Sequence, residues 1–172
     1  MMAWTDSRIF QQAMLNPLGG RCWTTAVPTT YSSLSADDIR VSLYNNTTTP
    51  DRTVAVGSTG YNTGTWVLAN EVTDANWAAG GRALASKTFT IDTGSSSICF
   101  SAANLSGGGN MTVSNVFGVL VYDNTITGGT VVDQGLCYNY FGGAQSVVAG
   151  TFTVVWATPG GAAITAIFNF AV

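Results

Sequence analysis

From Asp38 onward, apolar residues recur at every second position, and clusters of Gly, Asn, Ser, Thr and Pro interrupt them about every 8–12 residues. In DIRVSLYN, Ile39, Val41 and Leu43 point one way and Arg40, Ser42 and Tyr44 the other, which predicts a half-buried strand. The same period returns in KTFTID, SICFSA, MTVSNVFGVLVYDN, TVV (130–132), LCYNYF, GTFTVVWA and ITAIFNFAV. The intervening TGSSS, LSGGGN, DNTITGG, FGGAQS and TPGG all have turn chemistry. No helical period separates these runs, so a parallel βαβ fold is excluded. The pattern predicts an all-β chain, an antiparallel β-sandwich of jelly-roll-like form.

Two runs carry more than alternation. Val116 to Tyr122 (VFGVLVY) is apolar at nearly every position, which predicts a central strand covered on both faces. The last run is greasy on both sides, with Ile167 beside Phe168, and this points to packing between subunits.

Ahead of the sandwich, the first sixteen residues carry the only helical pattern. Thr5 or Asp6 can cap it, Ile9 and Ala13 lie four apart, as do Phe10 and Met14, and Asn16-Pro17 stops it. Thr- and Ser-rich residues 21–37 with Pro28 follow as an extended segment. The chain therefore divides into a short N-terminal helix and arm over 1–37 and a sandwich over 38–172. Such a helix either packs on its own domain or serves as an arm on a neighbour; as an arm, Trp4, Ile9, Phe10 and Met14 are the candidates for contact with a partner or sister subunit, since aromatic and methionine anchors dominate interfaces when they fill a pocket.

Charge narrows the function classes. The chain is 46% hydrophobic but only 9% charged, against roughly 25% in an ordinary soluble domain. A net charge of −3 gives little repulsion between copies, so a partner is expected to cover part of the surface. Six scattered Lys and Arg cannot neutralise a run of phosphates, which excludes nucleic acid as a partner. No apolar run approaches the ~18 residues of a membrane span and no signal segment opens the chain, so no membrane role is expected. Cys22, Cys99 and Cys137 are an odd number at wide spacing and read as buried free thiols.

Candidate chemistry concentrates in WVLANEVTDANWAAGGRAL (66–84), which holds the only glutamate. A glycosidase built on Glu71 needs a second carboxylate across the scissile bond, with Asp74 and Asp123 the options. The absence of histidine rules out Ser-His-Asp and Cys-His arrangements and imidazole zinc sites. Gly80-Gly81 lacks the surroundings of a phosphate loop, and DNTITGG lacks the ligand density of a calcium loop. The simpler reading is structural: Asn70, Glu71, Gly80 and Gly81 shape a turn, Glu71 accepts donors within its own loop, and Trp66 and Trp77 are buried. No catalytic residue, cofactor or metal is expected, and the chain is read as a non-enzyme.

The same residues carry a resemblance. The order W-x-L-A-N-E-V with Asn70, Glu71 and Val72, then A-G-G-x-x-L with Gly80, Gly81 and Leu84, V-Y-D at Val121 to Asp123, F-G-G at Phe141 to Gly143 and G-T-F-T-V at Gly150 to Val154 resembles a family of small tailed-bacteriophage virion proteins. The family comprises capsid decoration (cement) or minor structural proteins, and the resemblance spans Ile39 to about Ile167. Tyr140 stands where members often carry aspartate, and Trp77 where many carry tyrosine. The resemblance implies a β-sandwich seated on assembled major capsid protein as a homotrimer, made in the host cytoplasm and located on the virion exterior, where it stabilises the head. The rival expectation is a receptor- or carbohydrate-binding module of a phage tail or fibre, with Tyr31, Tyr44, Tyr61 and Trp77 as stacking faces.

Overall fold

The computed structural model describes residues 4–11, 34–127, 131–157 and 165–171. They form ten strands: β1 (Arg8–Ile9), β2 (Ile39–Tyr44), β3 (Arg82–Ala83), β4 (Thr88–Asp92), β5 (Ser97–Ser101), β6 (Leu105–Ser106), β7 (Met111–Asp123), β8 (Gln134–Gly150), β9 (Thr153–Val154) and β10 (Phe168–Ala171). Every pairing is antiparallel. A five-stranded sheet runs β1-β8-β7-β2-β3, a three-stranded sheet β10-β5-β4, and β6 pairs with β9. The all-β antiparallel sandwich expected from the alternation is what forms.

The centre of the large sheet is β7, flanked by β2 and β8. Val116 to Tyr122 is buried throughout, as its continuous apolar run predicts. β2 departs from expectation, because both of its faces are covered instead of one. Ile39, Val41 and Leu43 lie opposite Asp123, Val121 and Val119 and join the cluster that holds Leu84, Phe100 and Ile167. Arg40, Ser42 and Tyr44 lie opposite Tyr122, Leu120 and Gly118 on the other face. That face is roofed by rings from outside the sheet: Trp66 stands edge-on to Tyr44 at 5.1 Å, Trp4 and Phe10 pack on Tyr138, and Tyr61 stacks on Tyr122 at 4.8 Å. A Cβ at Gly118 would come within 2.5 Å of the Trp4 ring, so the glycine is what lets the indole lie flat against the strand.

Residues 4–10 are therefore a layer of the core and not a helix. Residues 4–10 are extended, and Arg8 and Ile9 pair with Tyr138 and Cys137 of β8, so Thr5 and Asp6 cap nothing. At Ile9 and Phe10, edge pairing to β8 and ring burial outweigh weak local helical preference. Residues 12–16, which complete the expected helix, lie outside the described residues, as do 21–33 of the expected arm.

Two further expectations are corrected. FGGAQS is not a turn: β8 continues through it, Gly142 takes φ +80°, and the β7–β8 register shifts in several places. Glycines in that segment admit a bulge in a long ribbon where a reversal was expected. In TVV (130–132), Val131 and Val132 are not in a strand; the Asp133 amide instead bonds the Ile126 carbonyl. TGSSS does turn, closing β4 onto β5, with Asp92 accepting from the Gly94 amide and the Ser95 hydroxyl. Cys99 and Cys137 are buried and free, as read; Cys22 lies outside the described residues.

Gly81 gives a direct test. Its φ is +66°, and a Cβ there would sit 2.1 Å from the Val41 carbonyl oxygen. Gly81→Val should lower stability by about 3 kcal/mol or more, combining backbone strain with the clash against β2. Urea denaturation checks it, and an unchanged midpoint would contradict this geometry.

Candidate functional site

The loop from Trp66 to Gly81 is built around Glu71. A short 3-10 turn over Leu68–Asn70 delivers the chain to Glu71, which bridges to Tyr44 at the end of β2. Asn70 anchors the turn from both sides: its carbonyl accepts the Asn45 amide, and its side chain donates to Thr65. Glu71 then reaches across the loop, one carboxylate oxygen accepting the Tyr61 hydroxyl at 2.8 Å and the other the Gly80 amide at 3.1 Å. Tyr122 closes the ring by donating to the Gly80 carbonyl at 2.6 Å.

Both oxygens of Glu71 are thus engaged within its own fold, which agrees with the structural reading. Burial pushes its carboxyl up, against the hydrogen bonds from Tyr61 and Gly80 that hold it down. Gly80 and Gly81 both have positive φ, so the diglycine turn is where the sequence placed it. Trp66 and Trp77 are fully buried, and the Trp77 indole donates to the Val41 carbonyl.

The proposed catalytic partners do not converge on Glu71. Asp74 caps its own turn, accepting the Asn76 amide with one oxygen and the Thr112 amide with the other. Asp123 lies at the far end of β7, opposite Ile39. Among the described residues no group of three or more Cys, Asp or Glu is arranged to hold a metal ion. No helix among them is long and apolar enough to cross a membrane.

The interface candidates need revision. Trp4 and Phe10 are fully buried in the chain's own core, packed on Trp66 and Tyr138. Truncating one such ring costs about 3–5 kcal/mol, a large part of a domain's 5–15 kcal/mol, so neither can serve as a detachable anchor. Ile9 is half-buried on β1 and keeps some exposure, and Met14 lies outside the described residues. The stacking faces of the rival reading also close up. Tyr44 and Trp77 are buried, and Tyr61 lies against Tyr122, while Tyr31 is outside the described residues.

One constellation was not singled out in the sequence. The carboxyl groups of Asp37 and Asp123 are close neighbours, and Oδ2 of each is buried with no donor to satisfy it unless one of the two is protonated. Two carboxylates cannot share a hydrogen bond without a proton, so the pair holds one. Burial first, and the neighbouring Asp37 charge with it, push Asp123 up to about 7 against the Thr125 amide, which lowers it. The only signal in the sequence was an aspartate ending an otherwise apolar strand, VLVYD; its partner lies 86 residues earlier, at a distance no local pattern spans.

No family model matches the chain, and neither a curated protein nor a solved structure matches it.

The carboxyl pair sets an unusual pH dependence. Asp123 is raised above its unfolded value of about 4, so its contribution is fully present below pH ~4 and is lost as pH rises through about 7. Glu71 and Asp133 are raised as well and act in the same direction. Urea midpoints should therefore fall between pH 4.5 and 7.5, and Asp123→Asn should flatten much of that slope. A midpoint that rises over this range in the native protein would refute the shared proton.

Proposed function

We propose that this chain is a structural component of a tailed-phage virion, a decoration protein that attaches to the assembled major capsid lattice as a homotrimer and stabilises the head. The observation that carries the reading is the β10-β5-β4 sheet. Its register puts Phe89, Phe100 and Phe168 in one cross-strand row and Ile91, Ile98 and Phe170 in the next, all on one face. No polar side chain interrupts these two rows. Phe100 at the centre is buried in the chain's own core and Ile98, Phe168 and Phe170 are half-buried, so the open part is the β4 edge, where Phe89 is 44% and Ile91 69% exposed.

An apolar face of this kind on a chain with so little charge is suited to burial against other subunits. The resemblance through the Asn70–Val72, Gly80–Gly81 and Gly150–Val154 motifs supports the same conclusion. The work asked of such a protein is mechanical. Binding only the expanded lattice favours that state by mass action, and bridging several subunits multiplies weak contacts through effective concentration.

The test joins oligomer state to particle binding. Ile91→Asp should convert the trimer to smaller species by light scattering and abolish co-sedimentation with expanded heads of the encoding phage. Because Ile91 is exposed, its unfolding free energy should change by no more than about 0.5 kcal/mol. A native protein that stays monomeric and leaves heads unoccupied would end this reading.

A further inference from the structure

A cleft of about 660 Å³ opens where β1 and β8 of the large sheet meet β10 of the small one. Two of the chain's six cationic side chains, Arg8 and Arg52, line it, and among the described residues no Asp or Glu does. The carboxylates of Asp6 and Asp51 stand behind these two cations, close enough for all four charges to act on Tyr138. Part of its polar lining is engaged within the chain, Asn139 donating to the Ile167 carbonyl and Asn169 to the Ser97 hydroxyl. Arg8 is held by Asp6 at 2.8 Å, but the Arg52 guanidinium forms no ion pair among the described residues. The nearby Asp51 carboxylate is taken up by the amide and hydroxyl of Thr53.

Tyr138 strengthens the case. Its ring is buried under Trp4, Phe10 and Trp66, and burial with the Asp6 and Asp51 charges pushes its phenol up against Arg8 and Arg52, so it keeps its proton. Ser7 accepts the Tyr140 amide and keeps its hydroxyl proton to give. Guanidinium, phenol and hydroxyl all present hydrogen to the space, so the matching ligand is rich in acceptors and negatively charged. Ile9, Ile167 and Phe168 supply an apolar wall beside them.

We infer that this cleft docks a carboxylate-bearing segment of a partner polypeptide, an acidic side chain meeting Arg52 and an apolar neighbour lying on Ile9 and Phe168. A peptide fits better than an acidic sugar because the aromatic faces are already in use. Tyr138 is covered by three rings, and Phe168 packs against Phe89, Phe100 and Phe170. No free platform is left for a pyranose to stack on. β1 is also a sheet-edge strand, the place where an extended segment can lie alongside. The inference stands apart from the capsid reading, since any partner with this chemistry satisfies it.

Titrating the isotope-labelled full chain with acetyl-Asp-Leu-Glu-Leu-amide tests it by amide chemical shifts. Saturable shifts are expected at Arg8, Ile9, Asn139 and Asn169, weakening with added salt. Acetyl-Asn-Leu-Gln-Leu-amide should give no saturation, and Arg52→Gln should weaken the acidic peptide by about tenfold while leaving thermal unfolding unchanged. Sialyllactose forms a third arm. Absent saturation, equal binding of the neutral peptide, an unaffected Arg52→Gln variant, or saturation by sialyllactose alone would each overturn the inference.

Discussion

The structure depends on covering both faces of the β7-centred sheet. One face has a conventional partner in the cluster of Leu84, Phe100 and Ile167. The other has no second sheet and is sealed instead by indole and phenol rings borrowed from the N-terminal segment and the 59–81 loop. Trp4, Phe10, Tyr44, Trp66 and Tyr138 meet mostly edge to face, the arrangement their ring quadrupoles favour. Gly118 opens the space for one of these rings, and the Trp4 indole is tied down by donating to the Asn45 carbonyl.

That roof explains the polar features beneath it. A loop that crosses a buried face must satisfy its own backbone, because water does not reach it. Glu71 does this for Gly80, Tyr44 for the Trp66 carbonyl, and Tyr122 for the Gly80 carbonyl. A lone glutamate between two tryptophans has the composition of a sugar site, yet its geometry is that of a clasp. At the other end of β7, Asp37 and Asp123 solve a similar problem by sharing a proton, at the expense of stability near neutral pH.

The proposed function draws on two surfaces. The small sheet presents two apolar rows that its own chain leaves partly open, and the cleft beside β1 presents the Arg52 guanidinium. The two surfaces differ in chemistry, one suited to broad apolar contact and the other to a single acidic side chain. A protein that works by attachment has use for both, since area supplies adhesion and a charged contact supplies orientation.

Period-two alternation in the sequence determined the all-β class, the doubly covered β7 and the turn at TGSSS, because strand periodicity and turn chemistry are local properties. It also placed the diglycine turn at Gly80 and Gly81 and the role of Glu71, since positive φ and a lone carboxylate in a loop leave few alternatives. Tertiary structure alone decided that Trp4 and Phe10 belong to the core, that FGGAQS runs straight through as a bulged strand, and that Asp37 meets Asp123. Those outcomes turn on contacts between residues far apart in the chain, such as Val116 with Gln145 and Trp4 with Tyr138, where pairing and ring burial outweigh any preference written in neighbouring residues.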